Sequence, residues 1–336
     1  MLNNLDPTKV ALILAGTLTL AACFPLTRST PREIFEWNAV VDITRSMNVD
    51  DYRLDGKPVS RLEFVKASLR KSLTELPCGS RLGLGVFTER QAAILLRPIE
   101  VCSGYAALDA AVAQLDWRMA WAADSRIAEG LRNSLELLQG EDAALAFFSD
   151  GQEAPPVNPR YRADLGALKG KARGLVVGVG GLSPSPIPKF GEDGKRLGVY
   201  AMDEVLQRST FGLSELPPEQ VEGYHARNAP FGKAPEGGSE HLSALREDYL
   251  RQLAEQAGLG YHRLESAEAL ITRLQQPGSG HQAATETDIR PLPAALAWLL
   301  VVVAYASRLP PLRGFFRQFS AKVDPVWEGA SARDRR

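Results

Sequence analysis

Two kinds of hydrophobic pattern alternate along the middle of the chain. Short runs of consecutive apolar and β-branched residues, such as residues 38–43, predict buried strands. Longer segments carry an apolar residue at every third or fourth position; residues 60–76 show this spacing, and Ser60 and Glu63 complete a helix-capping pattern. The predicted strands are 38–43, 81–87, 92–101, 143–148 and 173–180, and the predicted helices are 60–76, 105–115, 125–138 and 240–257.

This alternation predicts an α/β fold for residues 35–275: a doubly wound, mostly parallel sheet with helices on both faces. Residues 181–239 interrupt the pattern and are rich in proline and glycine. Within them, residues 187–190 and 197–200 flank Glu192-Asp193-Gly194 as the two strands of a hairpin would. We therefore expect an inserted region with a functional role or a mobile loop.

Two uncharged apolar segments lie near the ends of the chain, at residues 10–26 and 292–307. Each is near the lower limit of the roughly 17–25 residues that span a bilayer, so a buried core helix is the alternative for either. For 292–307 we favour a transmembrane helix, because Trp298 and Tyr305 resemble interfacial anchors and three arginines follow (Arg308, Arg313 and Arg317).

The basic residues after this helix predict its orientation in a bacterial inner membrane. The tail, residues 308–336, has seven basic and three acidic residues and is expected in the cytoplasm. Residues 276–291 are expected to be a linker, and the main domain is expected in the periplasm. Residues 1–34 form either an uncleaved anchor, which we favour, or a secretory signal, since Leu20-Ala21-Ala22-Cys23 resembles a lipidation site.

The overall charge excludes one broad class of partner. Across 336 residues, 39 Lys and Arg balance 40 Asp and Glu, for a net charge of −1. Generic nucleic-acid binders usually carry a basic excess, so we expect no nucleic-acid partner.

Hard oxygen ligands occur in three segments that should meet at the carboxyl end of the predicted sheet. Asp42, Thr44 and Ser46 end the first strand, Ser125 precedes a helix, and Asp150 follows the strand 143–148. Two carboxylates and three hydroxyls suit Mg²⁺, or Mn²⁺, better than Zn²⁺, which prefers His or Cys. The four histidines (His225, His241, His262 and His281) are scattered and predict no metal site.

These segments contain no His, Lys or Cys that could act as a general base, so we expect a binding protein rather than an enzyme. Two other classes stay open. The cation could activate a water for hydrolysis, or the protein could be a metal-independent adaptor on the inner membrane. The glycines at 178–181 do not form a dinucleotide-binding loop, because the prolines at 184 and 186 prevent the helix that must follow.

The pattern Asp42-x-Thr44-x-Ser46, with Ser125 and with Asp150-Gly151 after a strand, resembles the metal-ion-dependent adhesion site (MIDAS) of von Willebrand factor A (VWA) domains. The resemblance covers about residues 36–275. It implies that Thr44 and Ser46 bind the metal directly, that Ser125, Asp42 and Asp150 bind it directly or through water, and that one position stays open for a partner's carboxylate. Two departures are Arg45, where glycine is common, and Ser125, where threonine is common.

A narrower resemblance is to the MxaL-type accessory proteins of methanol oxidation gene clusters. It is carried by the strings DITRSMNVDDY, RLGLGVFTER, LDWRMAW, SDGQEAPP, SPIPKF and RNAPFG. It implies a periplasmic role in maturing a quinone-dependent methanol dehydrogenase, through loading of its active-site metal. The implied partners are that dehydrogenase or its other accessory proteins.

Three cysteines are too few for a disulfide framework, but they allow one bridge. The strands 81–87 and 92–101 should form an antiparallel hairpin that turns near Arg90, and Cys78 and Cys102 are each twelve residues from that position. Facing residues have Cα atoms close enough for a disulfide. We therefore predict a Cys78–Cys102 bond, the alternative being two unrelated buried thiols.

Overall fold

The computed structural model describes residues 6–122, 124–154, 163–191, 193–201, 204 and 241–306. They divide into two compact units, one formed by residues 33–283 and the other by the two ends of the chain. The tail 308–336 and the insertion from residue 205 onward, which includes the string RNAPFG, lie outside the described residues.

The central unit is built from strands that alternate with helices, as the sequence predicts. The first strand of the chain, β1 (Thr27–Ile34), belongs to the terminal unit described below. The strands of the central unit are β2 (Glu36–Asp42), β3 (Tyr52–Leu54), β4 (Lys57–Val59), β5 (Arg81–Thr88), β6 (Gln91–Glu100), β7 (Ala144–Ser149), β8 (Gly174–Gly178), β9 (Ser185–Pro186), β10 (Pro188–Phe190), β11 (Arg196–Val199), β12 (Leu242–Ser243) and β13 (Gly260–Arg263). Its α-helices are α2 (Arg61–Glu75), α3 (Tyr105–Ala113), α4 (Ile127–Leu137), α5 (Glu247–Ala257) and α6 (Ala267–Leu274).

Six strands form the main sheet, in the order β13-β8-β7-β2-β5-β6. The first five are parallel neighbours, and β6 pairs antiparallel with β5 at one edge. Alternate residues of β2 face opposite sides: Ala39 and Val41 pack in one core with α2, α3 and α6, and Val40 packs in the other with α4 and α5. This confirms a mixed α/β fold with a central, mostly parallel sheet.

Local sequence signals explain several element boundaries. The Ser60 Oγ accepts a hydrogen bond from the Glu63 backbone N–H at 3.1 Å, so α2 begins at the capping pattern read from the sequence. The α5 helix ends at Gly258, whose φ of +70° is the left-handed conformation that glycine adopts without strain. The predicted hairpin in the insertion is present, with β10 and β11 antiparallel.

One predicted helix was too long. Residues 240–257 were expected to be helical throughout, but the helix begins at Glu247 and Leu242–Ser243 form the strand β12. The segment is held by tertiary hydrogen bonds: β12 pairs with β9, and the Arg246 N–H donates to the Asp150 carbonyl at 2.8 Å. These bonds override the helical spacing of the apolar residues.

The terminal unit contains α1 (Pro7–Ala22) and α7 (Pro291–Ala306), which pack against each other, and β1, which pairs with β14 (His281–Asp288). The segment 276–291, expected to be a linker, thus includes a strand. Among the described residues, no helix combines the length and the apolar character needed to cross a membrane. Crossing of a membrane by residues 292–307 stays a prediction.

The Cys78–Cys102 disulfide is present, with a Cα–Cα distance of 5.4 Å. The two cysteines lie in turns beyond the strand ends, and irregularities near Leu84 shift the β5–β6 register from Thr88↔Gln91 to Arg81↔Glu100. The pairing was therefore predicted correctly, while the ladder does not extend as far as the prediction assumed.

Glu100 connects, through hydrogen bonds, the two turns that contain Cys78 and Cys102. Its carboxylate accepts hydrogen bonds from the backbone N–H groups of Gly79, Cys102 and Ser103 and from the Ser103 hydroxyl, at 2.6–3.1 Å. Partial burial opposes ionisation, but these hydrogen bonds outweigh it and lower the pKa of Glu100 to about 2.

We predict that replacing both bridging cysteines, Cys78→Ser with Cys102→Ser, lowers the free energy of unfolding by about 3 kcal/mol, because the bond closes a loop of 24 residues in sequence separation. Urea denaturation under non-reducing conditions measures this. Cys23→Ser, at an exposed free cysteine, is the control and should leave the midpoint unchanged. An unchanged midpoint in the double variant would contradict the prediction.

We predict that Glu100→Gln destabilises the protein at pH 7 by about 1–3 kcal/mol, since it removes a charged acceptor of several hydrogen bonds. The folded pKa is below the ordinary value of 4.5, so the carboxylate stabilises the fold above pH 4.5. That contribution is lost as the pH falls towards 2. Thermal unfolding at several pH values should show the difference between the variant and the wild type shrinking over this range, whereas a difference that does not change with pH would contradict the prediction.

Candidate functional site

The site lies at the carboxyl end of β2, the central strand of the sheet, with β5 on one side and β7 on the other. Because these strands are parallel, the residues that follow them meet at one edge. Asp42 is the last residue of β2, and Asp150 follows β7 directly; both are fully buried. The sheet thus brings together the two carboxylates predicted from the sequence.

Asp42 organises the loop that follows it. Its Oδ1 accepts hydrogen bonds from the Thr44 backbone N–H at 2.9 Å and from the Thr44 hydroxyl at 2.7 Å. Its Oδ2 accepts one from the Ser149 hydroxyl at 2.8 Å. The Thr44 and Ser46 hydroxyl oxygens are 3.4 Å apart and both residues are buried. The first predicted segment is therefore folded around one carboxylate, with two hydroxyl oxygens side by side.

Ser125 belongs to the same edge of the sheet. Its backbone N–H donates to the Ala154 carbonyl, after β7, and its carbonyl accepts from the Ala154 N–H, both at 2.7 Å. The neighbouring Arg126 N–H donates to the carbonyl of Glu89, after β5. Ser125 is thus held between the loops that follow the two strands flanking β2.

The Ser125 hydroxyl is buried and has no hydrogen-bond partner among the described residues. Buried hydroxyls are usually paired, so an unpaired one at a polar site indicates a ligand or water position. This is an observation about Ser125 that the sequence alone could not provide.

Asp150 has partners that the sequence analysis did not identify. Its Oδ2 accepts hydrogen bonds from the Arg61 guanidinium at 2.7 Å and from the Ser243 hydroxyl at 2.9 Å, and its Oδ1 accepts one from the Gln152 N–H at 3.0 Å. Arg61 also forms an ion pair with Asp51. Asp51 and Ser149 lie in strings quoted above, but nothing in the sequence marked Arg61 or Ser243 as part of the site.

The electrostatics of the site favour a cation. Burial, followed by the nearby charge of Asp150, raises the pKa of Asp42 to about 7, although hydrogen bonds from Thr44 and Ser149 lower it. Hydroxyl and carboxylate oxygens are the donors that Mg²⁺ and Mn²⁺ prefer, so the residues present fit such an ion. Of the five predicted site residues, Thr44, Ser46 and Ser125 offer hydroxyls, and Asp42 and Asp150 offer charge.

An exposed surface surrounds this edge of the sheet. Arg45, between the two hydroxyl residues, is exposed, and its guanidinium lies 5.4 Å from the centre of the Tyr200 ring. The hairpin of the insertion contacts the same region: Arg196 pairs with Asp50 at 2.5 Å, and the Phe190 ring is 5.8 Å from that of Trp117. Three of the strings that carry the narrower resemblance, DITRSMNVDDY, LDWRMAW and SPIPKF, therefore meet here.

The sequence matches no protein-family model and no curated protein. Among solved structures, the chain is similar to an aerotolerance-related membrane protein from Bacteroides fragilis, with a TM-score of 0.48 and 16% identity over 72% of this chain and 97% of that one. It is also similar to the conserved hypothetical protein BatB from Bacteroides thetaiotaomicron, with a TM-score of 0.46 and 17% identity over 71% and 95% of the two chains. A von Willebrand factor type A structure from Catenulispora acidiphila gives a TM-score of 0.39 and 10% identity over 82% and 50%. Similarities this weak carry no argument about function.

We predict that Ser125→Ala leaves the free energy of unfolding of the metal-free protein nearly unchanged, because the hydroxyl has no hydrogen-bond partner in the described part of the chain. We also predict that it weakens Mg²⁺ binding. Ser134→Ala is the matched control: this buried serine, on α4, donates to the Gly130 carbonyl at 2.7 Å. The control should lose about 1 kcal/mol of stability and bind Mg²⁺ as the wild type does. Calorimetric titration and urea denaturation measure the two quantities, and equal Mg²⁺ affinity in both variants would contradict the role of Ser125.

Proposed function

We propose that this chain is a membrane-anchored, periplasmic, metal-dependent protein-binding module of the VWA type. The observation that carries the proposal is the buried Ser125 hydroxyl, which has no partner among the residues that the structure describes, at the edge of the sheet where Thr44, Ser46 and two buried carboxylates lie. This donor set would hold Mg²⁺ or Mn²⁺. When bound, the ion would supply an electrophilic centre for a carboxylate of the partner.

The chain's own groups explain why a carboxylate from outside should be preferred. The three hydroxyl ligands are neutral, and both oxygens of Asp42 and of Asp150 already accept hydrogen bonds from the protein. The groups of this chain would therefore neutralise only part of the charge of a bound cation. An Asp or Glu of a partner would supply the further negative charge and complete the ligands of a hard cation.

The surface around the site supports a protein partner rather than a small molecule. Arg45 provides an exposed positive charge beside Thr44 and Ser46. Trp121 is exposed, as is Leu197 of the hairpin, which is 65% exposed. Arginine and tryptophan are frequent at the energetic centres of protein interfaces, and exposed apolar side chains near a site mark interaction surfaces. The arrangement fits a partner that presents an acidic residue beside apolar ones.

Membrane anchoring is supported by the surface of the terminal unit. Its two helices expose large apolar side chains, among them Ile13, Leu20, Trp298 and Leu299, and Trp298 is 68% exposed. Apolar side chains on the outside of a helix pair suit a lipid environment. The Arg-rich segment that follows, outside the described residues, supports a cytoplasmic tail.

The partner we propose is a quinone-dependent methanol dehydrogenase, or another accessory protein of its maturation, and the activity is assistance in loading its active-site metal. This part rests on the resemblance to MxaL-type proteins. It gains support from the arrangement of three of the quoted strings: Trp117 of LDWRMAW packs against Phe190 of SPIPKF, and Arg45 and Asp50 of DITRSMNVDDY contact Tyr200 and Arg196 in the hairpin that includes Phe190.

We predict that the full-length protein binds the purified dehydrogenase of its own host in Mg²⁺, and that EDTA or Asp42→Asn abolishes this binding, because both remove the cation. Asp109→Asn is the control, since this carboxylate pairs with Arg70 on an exposed surface. Surface plasmon resonance measures this binding. A host strain in which the gene for this protein is deleted should contain dehydrogenase protein of low activity.

Two results would count against the proposal in different ways. Binding that persists in EDTA would identify a metal-independent adaptor. Full dehydrogenase activity in the deletion strain would exclude the maturation role while leaving a metal-dependent interaction with another acidic partner in place.

A further inference from the structure

Arg61, the first residue of α2, has a completely buried side chain. Arginine is almost never fully buried unless it is paired, so its partners reveal what it does. Its guanidinium binds two carboxylates at once. Nε and Nη2 donate to the two oxygens of Asp51 at 3.1 and 2.7 Å, and Nη1 donates to Asp150 Oδ2 at 2.7 Å.

The guanidinium also contacts the segment after the insertion directly and, through Asp51, the segment at its start. After the insertion, Ser243 accepts from Nη1 through its hydroxyl at 2.7 Å and from Nη2 through its carbonyl at 3.2 Å. At its start, the Gly181 N–H donates to Asp51 Oδ2 at 2.8 Å. Gly180 has a φ of +124°, and a Cβ there would lie 2.7 Å from the Arg61 Nε, so the backbone approaches the guanidinium as closely as glycine allows.

These contacts determine which part of Asp150 remains available. Oδ2 accepts two hydrogen bonds, from Arg61 and Ser243, and Oδ1 accepts a single one from Gln152. A carboxylate has about four acceptor positions. Oδ1 therefore keeps the spare acceptor position, and the orientation of the carboxylate is set by Arg61.

We propose that Arg61 is a positioning residue of the cation site: it fixes the Asp150 carboxylate, and it links that carboxylate to Ser243 after the insertion and, through Asp51, to Gly181 at its start. The inference rests on the proposed function, since it assigns Arg61 a role towards the same cation. Partners of metal-site carboxylates typically contribute 10–100-fold to metal affinity, because they fix orientation and charge. Lysine keeps the charge, but it lacks the planar fork that binds both carboxylates.

The test is a double-mutant cycle on the full-length protein, with MgCl₂ titrated in a calorimeter. Arg61→Lys should weaken Mg²⁺ binding about tenfold in the wild-type background. In the Asp150→Asn background, Arg61→Lys should change the Mg²⁺ affinity less than twofold. Arg61 acts through Asp150, so the losses of affinity caused by the two substitutions are not additive. A residue that only stabilises the fold would not show this dependence on Asp150.

Two further variants keep the test decisive. Ser72→Ala, on the same helix, removes a buried hydrogen bond to the Ser68 carbonyl and should leave Mg²⁺ affinity unchanged. If circular dichroism shows that Arg61→Lys does not fold, Ser243→Ala takes its place in the cycle. It removes one partner of Asp150 Oδ2 and should weaken Mg²⁺ binding by a smaller factor that also disappears in Asp150→Asn.

The outcomes separate the two hypotheses. Wild-type protein that binds Mg²⁺, with a folded Arg61→Lys variant of equal affinity, overturns the positioning role alone. The same holds for an Arg61→Lys loss of equal size in both backgrounds. Wild-type protein that binds no Mg²⁺ overturns the proposed function and the positioning role together.

Discussion

The burial of two carboxylates side by side is the constraint on which the site depends. A parallel sheet places the ends of β2 and β7 next to each other, and Asp42 and Asp150 occupy those ends without solvent contact. Buried carboxylates are costly unless hydrogen bonds and positive charge compensate them. Arg61 provides one positive charge, which it divides between Asp150 and Asp51. Asp42 has only neutral hydrogen-bond donors, and these lower its pKa by less than burial and the nearby charge of Asp150 raise it, so the pKa of Asp42 rises to about 7. A cation would supply the positive charge that Asp42 lacks.

Much of the central fold followed from the sequence because its signals are local. Buried strands such as β7 are continuous apolar runs, and α2 begins where a serine can cap it. The grouping of Asp42 with Asp150 also followed, since a parallel sheet leaves few places for residues that end its strands. These features depend on nearby residues or on one general rule of topology.

The parts that could not be predicted depend on contacts between distant residues. Arg61 reads as an ordinary polar position at the start of an amphipathic helix, and only the packing of residues 51, 150 and 243 around it makes it a buried ion-pair residue. The start of α5 is displaced by the pairing of β12 with β9, which no spacing within residues 240–257 reveals. Likewise, the absence of a described partner for the Ser125 hydroxyl is a property of the assembled site.

Arg45 stands where glycine is common in VWA domains, which this sequence resembles, and the contact that explains it is with the insertion. Its guanidinium packs over Tyr200, at the end of the inserted hairpin. Arg196 of that hairpin pairs with Asp50, which lies in the same loop as Arg45. A glycine at 45 would lack this contact. Together with the attachment of both ends of the insertion to Asp51 and Arg61, the contact places the hairpin beside the hydroxyl residues as a fixed neighbour. A partner that brought a carboxylate to the site, as proposed, would therefore also contact the hairpin formed by β10 and β11.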